Sequence, residues 1–273
     1  MQPCNLWKVA ASALAFLLLA GGCAQNPKKP DPFEKCNRFI YKVNDGLDKI
    51  LLKPASDVYT KVVPQPVRHG LGNFFDNLGY GNVILNDFLQ GHIKEGFGSA
   101  GRMAVNSTVG VAGVFDVATK WKMPAHSNDF GITLGKWGAG PGPYLVLPLY
   151  GPSTFRDVPR IPVGMYTNVL HWVDLPDAVG IPLDVLNIVE DRSRANSAIK
   201  FRDEAAIDPY IFMREAYLQY RRIKIYGPEK ATQTMDPGFY DEDETSTTRP
   251  TTRPTSRPTT GPFNEMERVP FLR

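Results

Sequence analysis

The 273-residue sequence has little cysteine, with Cys4, Cys23 and Cys36 alone. Three cysteines exclude a disulfide-dense scaffold, and without a C-x-x-C the usual thiol metal and redox spacings are missing. His69, His92, His126 and His171 stand singly, so no metal-ligating cluster is suggested. The net charge is only +3, too small by itself for a nucleic-acid footprint. Strand-like patterning is scarce as well. The apolar stretch Tyr144–Tyr150 contains Pro148, which demotes it as a strand. What the chain has in excess is breakers: 24 Gly and 24 Pro, above the usual shares of about 7% and 5%. That composition excludes long coiled coils and regular helical-repeat arrays.

The N-terminus reads as an export signal over residues 1–22. Lys8 is its only charge, and the apolar run Val9–Ala20 is too short to cross a hydrocarbon core of about 30 Å as a helix. Gly21 and Gly22 directly before Cys23 resemble a bacterial lipobox, which makes Cys23 the acylated first residue of the mature protein. Ala24, rather than Asp, follows the cysteine, a pattern that goes with sorting to the outer membrane in enteric-type bacteria. With Cys4 removed and Cys23 lipidated, Cys36 is left as a lone thiol and no intrachain disulfide is possible.

Residues 23–30 form a short tether, 31–230 a single domain and 231–273 a tail. In the tail Thr247–Pro262 repeats TTRP, TTRP, TSRP, TTGP behind the acidic block Asp241–Glu244. It has too little apolar surface to offset its chain entropy, so Met235–Arg273 is expected to be disordered. From Asp236 the tail carries five Arg against seven acids, which leaves the domain mildly basic.

Within the domain the apolar period is helical. Asp31 and Pro32 read as N-cap and first helical residue ahead of Phe39, Ile40 and Val43. Pro66 opens a helix with Leu71, Phe74, Phe75 and Leu78 at i, i+3, i+4 and i+7. Gly79–Gly81 interrupts it before Leu85, Phe88 and Leu89 resume, and Gly91 ends it. Pro182 opens another, with Leu183, Leu186 and Val189 on one face. Asp208–Pro209 caps the last, striped by Phe212, Ala216, Tyr220 and Ile223. The fold class expected is all-α, with Pro- and Gly-rich loops.

Gly96–Phe115 reads as one helix of twenty residues with a single charge, Arg102. Gly96, Ala100 and Ala104 recur every four residues, the small-xxx-small spacing that lets helices approach closely in lipid. A buried helix of a soluble core fits the same pattern. Arg102 at such depth needs a partner or a water-filled cavity. Gly96, Gly98 and Gly101 satisfy G-x-G-x-x-G, but a dinucleotide site needs a strand immediately before them, and a helix end precedes. Ser99 and Ser153 both miss the G-x-S-x-G elbow. Asp203 and Glu204 read as a solvated helix face.

Six blocks in order resemble the MlaA (VacJ) family of outer-membrane lipoproteins. They are Asp31–Arg38 (DPFEKCNR), Val63–Phe74 (VPQPVRHGLGNF), Asn86–Gly91 (NDFLQG), Phe130–Gly135 (FGITLG), Gly140–Asp157 (GPGPYLVLPLYGPSTFRD) and Asp208–Tyr217 (DPYIFMREAY). The resemblance implies a ring of amphipathic helices embedded in one leaflet of the outer membrane around a central channel. It implies movement of phospholipid rather than chemistry upon it, with no cofactor and no nucleic acid.

The implied partners are phospholipids, a trimeric outer-membrane porin and a soluble periplasmic lipid carrier. The implied location is the periplasmic side of a Gram-negative outer membrane. By the same resemblance a mobile hairpin beside the channel falls on about Met123–Gly131, with Met123, Pro124, Asn128 and Gly131 as gate candidates. A second region affecting channel opening falls near Tyr41–Asp45, with Asn44 and Asp45 as candidates. Gly96, Ala100, Arg102 and Ala104 are the membrane-helix candidates. Two other readings stay open at this point: a phospholipid-hydrolysing enzyme, and a passive lipoprotein that braces porins.

Overall fold

A computed structural model of the chain describes residues 31–229. The export signal, Cys23, the tether and the Thr-Arg-Pro repeat lie outside the described residues. Helix α1 (Glu34–Leu47) continues through a π-helical turn, Asp48–Leu52, into α2 (Lys53–Val62). Then come α3 (Gln65–Leu89), α4 (Ile93–Thr108), α5 (Val117–Lys120) and α6 (Phe130–Lys136). A hairpin of β1 (Tyr144–Leu147) and β2 (Gly151–Thr154) leads to α7 (Arg160–Thr167), α8 (Asp177–Arg194), α9 (Asn196–Ala205) and α10 (Pro209–Tyr226). The fold is helical throughout except for that hairpin. None of the described helices is long and apolar enough to cross a membrane.

Several local expectations are revised. Pro148 demotes Tyr144–Tyr150 as a strand on sequence grounds, yet β1 pairs antiparallel with β2, Tyr144 opposite Thr154 and Leu147 opposite Gly151. Pro148 falls in the turn just beyond β1, where the missing N–H removes no ladder bond. Gly79–Gly81 does not interrupt α3, which runs unbroken for 25 residues. Gly81 is instead a point of contact: a Cβ there would stand 2.6 Å from the Thr167 carbonyl oxygen at the end of α7. Pro182 does not open α8; the helix starts at Asp177 behind Pro176 and carries Pro182 inside.

The helix expected over Gly96–Phe115 stops at Thr108. After it the chain coils tightly, with Val111, Ala112 and Gly113 at positive φ. On α1 the helix begins at Glu34, and Asp31 accepts from the Phe33 N–H (3.1 Å) rather than capping directly. Asp208 does cap α10, accepting from the N–H groups of Tyr210 and Ile211 (2.9 and 3.2 Å). The buried stripe of α10, however, is Tyr210, Met213, Arg214, Tyr217, Tyr220 and Arg221, one position round from the expected one.

Tyr210, Met213, Tyr217 and Tyr220 of that stripe are core residues, but the interior as a whole is rich in polar groups. Among the described residues twenty-one buried side chains are polar or charged and only twelve hydrophobic. Large apolar side chains cover the outside instead. On α1 and the turn after it Phe39 is 68% exposed and Ile50 73%; on α4 Phe97 is 68% exposed. Val179, Ile181, Val185 and Ile188 form a similar outward face on α8. So many exposed large apolar side chains on the helices point to surfaces that meet lipid or protein.

The interior is held by specific polar bonds. Two turns apart on α1, Asn37 and Asn44 grip the hairpin backbone. The Asn37 amide donates to the Tyr144 carbonyl (3.0 Å) and accepts from the Val146 N–H (2.9 Å). Asn44 does the same at the Leu147 carbonyl (2.9 Å) and the Leu149 N–H (3.0 Å). Tyr144 then packs edge-on against Tyr210, their centroids 6.2 Å apart, so the hairpin is wedged between α1 and α10. The Tyr210 hydroxyl donates to Asp31 at the other end of the same cluster.

Arg221 of α10 is almost fully buried and bridges two carboxylates, Asp129 ahead of α6 (3.0 Å) and Asp157 behind β2 (2.9 Å). The Tyr217 hydroxyl also donates to Asp157 (2.8 Å). Burial alone would raise the Asp157 carboxyl, but Arg221 and Arg156 outweigh it and hold the group down to about 2. A carboxyl depressed below its unfolded value stabilises the fold above about pH 4, and that stabilisation is lost as pH falls toward about 2.

Two measurements check this account in detergent solution. Asn37→Ala leaves the Val146 N–H and the Tyr144 carbonyl without their partner and should lower stability by about 2–3 kcal/mol, read by chemical unfolding. The natural chain should keep its stability near neutral pH and lose it steeply below about pH 4, and Asp157→Asn should flatten that acid limb.

Candidate functional site

Helices α3, α4, α7 and α8, the segment before α6 and Tyr220 of α10 line a half-open cavity of about 560 Å³. Its lining is mixed. Helix α3 contributes Asn73, Asn77 and Asn82, α4 contributes Arg102 and Asn106, and α8 contributes Asn187, Asp191 and Arg194. Between them stand Phe75, Val83, Ile132, Ile161 and Met165. Asparagine amides donate and accept without titrating, so they offer hydrogen bonds to a polar group without adding charge. A molecule with one polar and one apolar end is the occupant such walls suit.

The cavity's charges are mostly paired. Arg102, expected to need a partner or a water-filled cavity, has partners and lines a cavity. It donates to Asp116 (2.7 Å), the Thr119 hydroxyl (3.0 Å) and the Met123 carbonyl (2.9 Å) while lining the cavity. Arg194 faces three carboxylates, Glu190 (2.6 Å), Asp76 (2.8 Å) and Asp191 (3.1 Å). Burial pushes the Glu190 carboxyl up to about 7, and one guanidinium shared by three acids does not bring it back.

The segment expected as a gate forms one wall. Residues 125–129 line the cavity, and His126, Ser127 and Asn128 also border a second cavity of about 130 Å³ that includes His92, Lys136 and Lys224. Asn128 donates to Asp87 (2.9 Å) and accepts from Gln90 (2.8 Å). Gly131 is tightly enclosed: a Cβ would lie 2.5 Å from both Arg221 Nη2 and Asp157 Oδ1. Pro124 is exposed and Met123 half-buried. The segment is therefore pinned at its Asn128–Gly131 end and more exposed at its Met123–Ala125 end.

Asn44 and Asp45 are not brought to this wall. Asn44 holds the hairpin turn, and Asp45 pairs with Lys49 (2.6 Å) and Arg202 (3.3 Å). On α4 the buried face is Gly96, Ser99, Arg102 and Asn106, so of the expected small-residue stripe only Gly96 sits in tight packing, against Phe88. Ala104 is exposed beside the outward Phe97. The G-x-G-x-x-G glycines lie inside or at the turns of α4, preceded by α3 and not by a strand.

Ser99, Asp87 and His126 do meet, but the carboxylate stands in the middle. Ser99 donates to Asp87 (2.7 Å), and His126 Nε2 lies 2.9 Å from the same carboxylate. In a nucleophile relay the imidazole stands between serine and acid, so this cluster ties α4 and the 126–128 segment to α3.

Sequence reasoning missed the cavity asparagines and Arg160, Asp191 and Arg194. One signal was present: Asn73, Asn77, Asn82 and Asn86 make α3 unusually rich in amides, although their spacings of four, five and four do not keep them to one helix face.

The family model for the MlaA lipoprotein matches residues 29–224. The intermembrane phospholipid transport system lipoprotein MlaA of Escherichia coli is 36% identical over 220 residues, covering 78% of this chain and 86% of that protein. The protein of the same name in Haemophilus influenzae is 31% identical over 230 residues, covering 80% and 90%. A chain solved in work on the structural basis for maintenance of bacterial outer membrane lipid asymmetry aligns with a TM-score of 0.62 at 31% identity. It covers 71% of this chain and 98% of its own length. With a cavity of mixed lining inside a body rich in exposed apolar side chains, six ordered sequence blocks and these relatives, the chain belongs to the MlaA lipoprotein family.

Proposed function

We propose that this chain is the outer-membrane lipoprotein of an intermembrane phospholipid transport system. It takes mislocalised phospholipid from the outer leaflet through its central cavity and passes it to a soluble periplasmic carrier, which maintains lipid asymmetry. The observation that carries this reading is the reversal of polarity: a mixed-lined cavity of about 560 Å³ inside a body whose exterior is apolar. A headgroup finds the Asn and Arg side chains, and acyl chains find Phe75, Val83, Ile161 and Met165. The outward faces of α1, α4 and α8 sit in the periplasmic-side leaflet, where no spanning helix is needed. The same apolar exterior suits contact with a trimeric porin.

Acylated Cys23 holds the chain to that leaflet, since each buried methylene adds about 0.8 kcal/mol. The 123–131 segment regulates passage from the cavity wall, its exposed Pro124 and Ala125 moving between Met123, held by Arg102, and Asp129, held by Arg221. The apolar side chains around the cavity bind and orient lipid, and no bond is made or broken in the process.

Cys23→Ser should shift the protein out of the outer-membrane fraction, measured by fractionation and immunoblot; normal partition together with normal function would refute the anchor. Gly79 lines the cavity with open space where a Cβ would stand, as does Gly98 on the outer side of α4, which does not line it. In cells lacking their own copy, Gly79→Trp should raise outer-leaflet phospholipid and detergent sensitivity to the level of the deletion. Gly98→Trp should restore the barrier. Equal rescue by both would overturn passage through this cavity.

A further inference from the structure

We propose that Arg160 is the phosphate-binding side chain of the central cavity, with the phosphodiester of a lipid headgroup as its ligand; this rests on the conduit reading above. Three arginines line the cavity, and they differ in commitment. Arg102 is paired with Asp116, and Arg194 with Asp76, Glu190 and Asp191. Arg160 has no ion pair among the described residues, and its Nε is buried without a hydrogen-bond partner. Asp129 feels its charge, but that carboxylate is already taken by Arg221 and the Ile132 N–H. A guanidinium half-withdrawn from water with no carboxylate of its own is open to an anion, and its planar fork matches two phosphate oxygens.

The surroundings fit a lipid phosphate rather than a free ion. Arg160 opens α7, and Ile161, Gly164 and Met165 of the same helix also line the cavity. One turn on from Arg160, Gly164 has nothing within 4 Å of where a Cβ would stand, so the cavity face of α7 is open there. Ile161 and Met165 form an apolar strip directly next to it. Phosphate at Arg160, glycerol over Gly164 and acyl chains along Ile161 and Met165 place each part of a phospholipid against matching chemistry.

The test uses the full acylated chain in detergent, titrated with fluorescent phosphatidylglycerol or with diacylglycerol bearing the same acyl chains. The natural protein should prefer phosphatidylglycerol. Arg160→Gln should weaken phosphatidylglycerol binding about ten-fold and leave diacylglycerol unchanged, the loss expected for one charge-assisted bond. Arg160→Lys should recover part of it. Arg68→Gln, an arginine outside the cavity whose Nε is likewise unpartnered, should bind as the natural chain does.

Undiminished phosphatidylglycerol binding by Arg160→Gln would overturn the assignment and leave the conduit standing. So would an equal loss for both lipids, which would mean a structural role. Displacement of the bound phospholipid by millimolar inorganic phosphate would reassign Arg160 to a free anion. A natural chain that binds no phospholipid at all would bring down the conduit reading itself and this inference with it.

Discussion

A guanidinium removed from water is costly unless carboxylates surround it, and Arg221 meets that condition by drawing in two of them. Asp129 and Asp157 come from segments on either side of α6 and the hairpin, so satisfying one side chain of α10 fixes where both must lie. Gly131 follows from this: the space a side chain would need there is filled by the bridge itself. The wall of the cavity is thus anchored by the same ion pairs that close the C-terminal helix onto the rest. Such bridges confer a unique arrangement more than raw stability, because one broken partner leaves a stranded charge.

The same logic runs through the molecule. Asn37 and Asn44 on α1, the Tyr144–Tyr210 contact and the Asp31–Tyr210 bond are all polar or amphipathic ties where a soluble domain would have aliphatic packing. With apolar side chains turned outward, helices cannot be held together by burial from water alone, so hydrogen bonds and ion pairs between them do more of the work. A cavity with amide and guanidinium walls is the natural consequence of facing polar surfaces inward. Function and stability share these residues: Arg102, Arg194 and Asp129 both line the cavity and hold its sides together.

Much of the helical frame was legible because its signals are local. Asp208–Pro209 caps α10 through side-chain oxygen to backbone N–H, a geometry set within three residues. The start of α3 at Pro64–Pro66 has the same local character. Local rules failed where a distant element decided. Gly79–Gly81 looked like a break, but Gly81 exists so that α7 can touch α3. Pro148 looked disqualifying, but the turn lies one residue past the ladder, and Asn37 and Asn44 from α1 secure β1 from outside. The stripe on α10 was read one position off because Tyr144 and the Asp129 and Asp157 carboxylates, all distant in the chain, select the face that carries Tyr210, Tyr217 and Arg221.

The sequence by itself determined the class of the fold, its family and the presence of a charged residue in a nearly uncharged helix, since composition, period and ordered motifs are properties of the chain. It did not determine which face of each helix turns inward. That depends on the polarity of the surroundings, which a single helix does not encode. Glu190 and Asp191 meet Arg194 within its own helix, but only the tertiary structure decided that Asp76 joins them from 118 positions away, that Arg102 meets Asp116, and that Arg160 has no ion pair among the described residues. The cavity is a property of that arrangement, and its unpaired arginine is visible nowhere else.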